Sequence, residues 1–212
     1  MGDTVEADRS GGEETLGVPR LWLLGVAVVG ESALAAAGYG IAWLSGGRAR
    51  ICWALSVASV AHGAATALAF TALLFLTLRK SPDAWPFDRF KRLSRDVLRP
   101  LFAHARPVDL AIISLAAGFG EEVLFRGALQ PVVGLVPASL AFGLCHLAGR
   151  DTTPLAMWAA FAGIVLGVLK DATGGLAAPV AAHAAYDMLV LALIRSPRLF
   201  RPARPGEERL NP

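Results

Sequence analysis

Long apolar runs separated by short polar segments dominate the sequence. About 20 mainly apolar residues are enough for a helix to cross a bilayer, and no strand-like alternation accompanies the runs. The pattern predicts an all-α fold, a polytopic transmembrane helix bundle of about six spans plus one interfacial amphipathic helix. The predicted spans are Leu21–Leu44, Ile51–Leu78, Val108–Gln130, Pro137–Ala148, Pro154–Leu169 and Leu176–Ile194.

The polar segments divide the chain into five regions. Residues 1–20 are mostly acidic with Gly and Ser, which predicts a disordered N-terminal tail. We expect two accessory transmembrane helices over 21–78, a basic interfacial linker over 79–107, and a four-helix membrane core over 108–195. Residues 196–212 form a basic C-terminal tail rich in proline.

The linker carries the pattern of a helix that lies on a membrane surface. Between Pro86 and Pro100, apolar residues at helical spacing lie opposite a basic face. Such a helix suits an anionic bilayer, so membrane lipids are the first predicted partner. The apolar residues are Phe87, Phe90, Leu93 and Val97, and the basic ones are Arg89, Lys91, Arg92, Arg95 and Arg99.

Charged residues are few, and their distribution along the chain supports the prediction of a membrane protein. The chain is 55% hydrophobic and 17% charged, against about 25% charged for an average soluble domain. Basic residues cluster beside the apolar spans rather than on a soluble domain, which argues against nucleic-acid binding. With the N-terminus inside, 16 Lys and Arg residues fall on the inner side and three on the outer side. This bias predicts an integral membrane protein with both termini in the cytoplasm.

The candidate chemistry begins with ionisable residues inside the predicted spans. Such residues are costly in hydrocarbon and are functional-site candidates by default. Glu122 and Arg126 are four residues apart, so they can pair on one helical face and support the bundle. Glu121 is turned about 100° away and is the carboxylate left free for chemistry.

Two further polar motifs follow in the predicted core. His183 and Asp187 share one helical face, and Phe142 shares a face with His146. Counted from the presumed outer ends of their spans, Glu121 and these polar residues lie at depths of about 10 to 16 Å. We therefore expect Glu121, His146, His183 and Asp187 to meet at one level in the membrane.

A carboxylate and two imidazoles in a membrane cavity suggest activation of a water molecule. Glu121 can take a proton from water as a general base, and His146 can orient that water. His183 with Asp187 can stabilise an oxyanion. Alternatively, Glu121, His146 and His183 could hold a divalent metal such as zinc, since two His and one carboxylate form an established hydrolytic set.

The three motifs resemble those of a known family. They are Glu-Glu-x-x-x-Arg at 121–126, Phe-x-x-x-His at 142–146 and His-x-x-x-Asp at 183–187. They are similar to the motifs of the CAAX protease and bacteriocin-processing (CPBP, or Abi) family, intramembrane endopeptidases related to the type II CAAX prenyl endopeptidase. The resemblance covers about residues 108–195, and the third motif of the family more often ends in Asn.

The resemblance implies an α-helical membrane protease of a prokaryotic cell membrane. By it, Glu121 is the catalytic glutamate, His146 positions the water, and His183 with Asp187 stabilises the oxyanion. We expect hydrolysis of a peptide bond in a membrane-associated protein or peptide, by either a glutamate or a metal mechanism. The alternatives are a non-enzymatic immunity or partner-binding protein and a proton or solute carrier that uses the same Glu and His residues.

Overall fold

The computed structural model describes residues 18–47, 49 and 51–195. The predicted C-terminal tail, and the predicted N-terminal tail up to residue 17, lie outside these described residues. The described residues form helices joined by short turns, without strands, which agrees with the predicted all-α class.

Helices account for most of the described chain. The α-helices are α1 (Arg20–Leu44), α2 (Val57–Lys80), α3 (Phe87–Arg92), α4 (Arg99–Phe102), α5 (Pro107–Glu122), α6 (Gln130–Val133), α7 (Leu135–Cys145), α8 (Thr153–Thr173) and α9 (Ala177–Arg195). A first π-helix (Leu93–Leu98) joins α3 to α4, and a second π-helix (Val123–Leu129) joins α5 to α6. A short 3₁₀-helix (Arg150–Thr152) precedes α8.

Apolar surface covers the outside of the bundle. Trp22, Val29 and Leu68 are each at least 60% exposed, so hydrocarbon rather than water suits this surface. The chain is an integral membrane protein. Four helical segments are long and apolar enough to cross a bilayer: Arg20–Leu44, Val57–Lys80, Arg150–Thr173 and Ala177–Arg195.

The predicted count of six spans is not confirmed. The predicted third span comprises α5, the second π-helix and α6, and it contains several charged residues. The predicted fourth span is α7, which has 11 residues and rises only about 16 Å. That length is about half of a bilayer core.

Helix α9 lies at the centre of the bundle, where it packs against α2, α5 and α8. The backbone N–H groups of Leu176 and Ala177 donate to the carbonyl oxygens of Cys52 and Trp53, at 2.8 and 2.9 Å. These bonds keep residues 51–56 out of a helix, so α2 begins at Val57 rather than at the predicted Ile51. Ser56 caps α2 by accepting from the Ser59 N–H.

Helix α3, the first π-helix and α4 form one wall of the bundle. Regular α-helical spacing does not predict which of their residues face inward. The first π-helix adds an extra residue per turn, so Leu98 and Phe102 face inward with Phe90. Val97, predicted on the apolar face, is 52% exposed, and Leu98 takes the inward position. Contact of this linker with a membrane surface stays a prediction.

One ion pair joins the start of α1 to the start of α5. Asp109 is buried and accepts from Arg20 Nε and Nη2 at 2.5 and 2.6 Å. Asp109 also accepts from the Arg106 N–H at 2.8 Å, which caps α5. This bidentate geometry is the strong form of a carboxylate–guanidinium contact. It holds α1 against the core helix that carries the Glu pair.

We expect Arg20→Gln to lower the melting temperature of the protein in detergent by several degrees. The substitution leaves the Asp109 carboxylate buried without its main donor. Arg95→Gln is the matched control, because the Arg95–Asp96 pair lies on the surface and a surface pair contributes little. Equal melting temperatures for Arg20→Gln and wild type would contradict this role for Arg20.

Candidate active site

The Glu pair lies where α5 changes into the second π-helix. Glu121 and Glu122 are the last two residues of α5, and the π-helix starts at Val123. Glu122 is fully buried, whereas the Glu121 side chain is 16% exposed. Short π-helical stretches within α-helices are frequent at functional sites because they change the direction of side chains.

Glu122 is the acceptor for two donors. Its Oε1 accepts from Arg126 Nη1 at 2.9 Å, as the four-residue spacing predicts, and Arg126 is also buried. The same oxygen lies 2.8 Å from His183 Nδ1 on α9. A carboxylate accepts, so Nδ1 carries the proton and donates. The Glu122 carboxylate therefore holds two side chains in position: Arg126, one helical turn further along the chain, and His183 on α9.

His183 faces two more carboxylates with its other nitrogen. His183 Nε2 lies 3.4 Å from Glu121 Oε2 and 3.5 Å from Asp187 Oδ2. The imidazole is buried, and its Nδ1 bond to Glu122 sets the ring orientation. The structure thus brings Glu121, Glu122 and Asp187 together around one histidine, and Nε2 is the nitrogen that faces the free carboxylates.

His146 belongs to the same site but does not bond to these carboxylates. It follows the last residue of α7, and its Nδ1 donates to the Phe142 carbonyl oxygen at 2.9 Å. The Phe142 ring contacts both imidazoles, with its centroid 4.9 Å from that of His146 and 5.9 Å from that of His183. The Arg126 guanidinium lies 4.2 Å from the same centroid, a cation–π contact.

A cavity of about 330 Å³ opens beside this cluster. His146, His183 and Asp187 line one part of it. Its remaining walls are mainly apolar, with an aromatic group in which Trp158 Nε1 donates to Tyr186 Oη at 2.7 Å. Phe70 of α2 packs on both of these rings. Such a chamber, apolar with a few polar groups at one end, is the usual form of a small-ligand or substrate site.

The described residues do not form a metal centre. They contain no group of three or more His, Cys, Asp or Glu side chains that could hold a metal ion. Glu121, His146 and His183, the predicted zinc ligands, are not such a group in the described part of the chain. The geometry of this donor set therefore does not fit the zinc alternative.

Comparison with known proteins finds a similarity over the segment that carries this site. Residues 103–189 match the family model described as type II CAAX prenyl endopeptidase Rce1-like. This segment is similar to the Rce1-like family. The Rce1-like segment contains all three motifs, and the match confirms the resemblance that the motifs indicated.

A curated relative of the chain is the uncharacterized protein YpbD of Bacillus subtilis (strain 168). It is 31% identical over 97 residues, which cover 46% of this chain and 51% of the relative. The chain thus spans about half the length of the curated relative that it matches. No solved structure matches the chain.

Sequence spacing located part of this site. It identified the Glu122–Arg126 pair, which the structure contains, and the face that His183 shares with Asp187. It did not identify the Glu122–His183 bond, because helical spacing shows which residues share a face but not which helix lies opposite. Nor did it indicate Phe70, an ordinary apolar residue of a span.

We expect Arg126→Met to reduce stability by about 3 to 5 kcal/mol, since it breaks a buried ion pair and leaves His183 as the one remaining donor to Glu122 among the described residues. The Glu122→Gln/Arg126→Met double variant removes both charges and should recover part of this loss. Arg79→Met is the control, because Arg79 has a ring contact with Phe75 but lies on the surface. Thermal unfolding in detergent measures all three, and a double variant no more stable than Arg126→Met would contradict the pairing.

Proposed function

We propose that the chain is an intramembrane endopeptidase that hydrolyses a peptide bond of a membrane-associated protein or peptide. The observation that carries this proposal is His183, whose Nε2 faces both Glu121 and Asp187 at the edge of the cavity. The match of residues 103–189 to the Rce1-like family supports the same reaction class.

Glu121 is the general base in this proposal. Its carboxylate accepts a proton from a water molecule, and the water oxygen then bonds to the carbonyl carbon of the peptide. The same proton passes to the leaving amine when the C–N bond breaks. His146 lines the cavity and holds the attacking water, with its ring orientation fixed by the Nδ1 bond to Phe142.

His183 stabilises the oxyanion that forms when water adds. With Nδ1 donating to Glu122, an imidazolium can donate from Nε2 to the developing negative charge. Asp187 is the position where the family more often has Asn. As a carboxylate it would repel the oxyanion, so its role here is to hold the imidazolium orientation from the same helical face.

The cavity favours an apolar segment of a polypeptide as substrate. Its aromatic and aliphatic walls offer few hydrogen-bonding partners beyond the cluster at one end. The linker helices that close it carry the basic residues that suit the cytoplasmic membrane surface, in line with cytoplasmic termini. We therefore expect the cleaved bond near the cytoplasmic side of the bilayer, with an apolar neighbouring sequence in the cavity.

Glu121→Gln should abolish cleavage while leaving the protein folded and inserted, because the amide cannot accept the proton. A loss of about 10²-fold or more is expected from removal of a general base. The measurement compares the N-termini of membrane proteins from cells that carry the wild type with those from cells that carry Glu121→Gln. An N-terminus found only with the wild type identifies a cleaved substrate. Purified protein in proteoliposomes then tests cleavage of the peptides found.

Asp151→Asn is the control for this comparison, because the Asp151 side chain is 90% exposed and outside the site. It should give the wild-type set of N-termini. Identical sets of N-termini for wild type and Glu121→Gln, with both proteins present at equal levels in the membrane, would contradict the proposed function.

Cleavage should survive a chelator, because the described residues offer no three convergent ligands. The measurement is peptide cleavage by the detergent-purified protein with and without chelator, together with metal analysis of the same sample. A metal mechanism would operate instead if the purified protein contained one equivalent of zinc, lost activity when the chelator removed the zinc, and regained activity when zinc was added back.

A further inference from the structure

Glu31 is a carboxyl group of α1, outside the Rce1-like segment, and it reaches the same site. The Glu31 backbone packs against Gly120, the residue before Glu121. A Cβ placed on Gly120 would lie 2.7 Å from Glu31 Oε2 and closer still to the Glu31 carbonyl oxygen. Any larger residue would push the helices apart, so α1 and α5 cross in backbone contact beside the Glu pair.

One oxygen of the Glu31 carboxyl group has no hydrogen-bond partner among the described residues. Glu31 Oε2 is buried, and within the described part of the chain no donor bonds to it. The residue after Gly120 is Glu121, and His183 of α9 lies 3.4 Å from Glu121 Oε2 and 3.5 Å from Asp187 Oδ2. Glu122 and Arg126 are bonded to each other, although Glu122 Oε2 and Arg126 Nη2 are also buried without a partner among the described residues.

Counting charges shows that this cluster must retain a proton. Four ionised carboxylates with two cations would leave a net charge of about −2 in a medium of low dielectric constant, which is strongly unfavourable. The carboxyl groups are those of Glu31, Glu121, Glu122 and Asp187, and the cations are Arg126 and a protonated His183.

The contacts indicate which carboxyl group is protonated. Glu122 accepts from two donors, and Glu121 and Asp187 both face His183 Nε2. Glu31 Oε2 has neither kind of stabilisation. A carboxyl group without a donor is the one whose charged form the site stabilises least.

We propose that Glu31 is a positioning residue of the active site, a protonated carboxyl beside Glu121 that leaves Glu121 as the ionised base. The inference rests on the proposed function for its catalytic meaning, although the location of the proton can be tested without it. When Glu31 loses its proton at alkaline pH, the added negative charge opposes the developing oxyanion, and cleavage slows.

Infrared spectroscopy of the full-length protein in lipid nanodiscs tests where the proton resides. At neutral pH, the wild type should show the carbonyl stretch of a protonated carboxyl group, and Glu31→Gln should lose it. Asp151→Asn is the control and should retain the band, because it changes an exposed side chain outside the site and leaves Glu31 in place. An undiminished band in Glu31→Gln overturns the proposal, whether or not the protein is a protease.

The pH dependence of cleavage gives a second, independent readout. Glu31→Gln should shift the alkaline fall of kcat by about one pH unit or more to higher pH, because the amide cannot ionise. Superimposable profiles for wild type and Glu31→Gln, or a loss of kcat as large as that of Glu121→Gln, would overturn the role. If wild type and Glu121→Gln both fail to cleave, the proposed function fails, while the infrared result still decides the position of the proton.

Discussion

The cost of charge in an apolar interior governs the arrangement of this protein. Glu122 is fully buried, and a buried carboxylate needs donors. Arg126 supplies one from the next helical turn, and His183 supplies another from α9. Because one oxygen serves both donors, the end of α5, the second π-helix and the centre of α9 are held in one geometry. The Glu121 carboxylate takes its position from this fixed frame.

The same constraint explains how a reactive cluster and an apolar cavity can adjoin. The polar groups bond mainly to one another, so the cavity wall presents rings and aliphatic side chains rather than unpaired donors. Phe142 lies where the polar cluster meets the apolar cavity, since its ring contacts the Arg126 guanidinium and the imidazoles of His146 and His183. Its quadrupole suits cations on the face while its hydrocarbon bulk excludes water.

Regular periodicity predicted the fold well where helices are regular. The predicted Leu21–Leu44 and Leu176–Ile194 spans lie within one residue of the ends of α1 and α9. It failed at the start of α2, where bonds from Leu176 and Ala177 keep residues 51–56 out of a helix. In the site, spacing predicted contacts within one helix but not the contact between Glu122 and His183.

Contacts made by α1 and α2 extend the site beyond the segment that matches the Rce1-like family. That segment begins at residue 103, yet Phe70 packs on cavity rings and Glu31 lies against the residue before Glu121. Arg20 ties the same helix to Asp109, within the segment. Since α1 carries a carboxyl group and α2 an aromatic wall, these helices affect both the charge of the site and the shape of its cavity. A segment cut at the family boundary would therefore lack part of the environment on which its carboxylates depend.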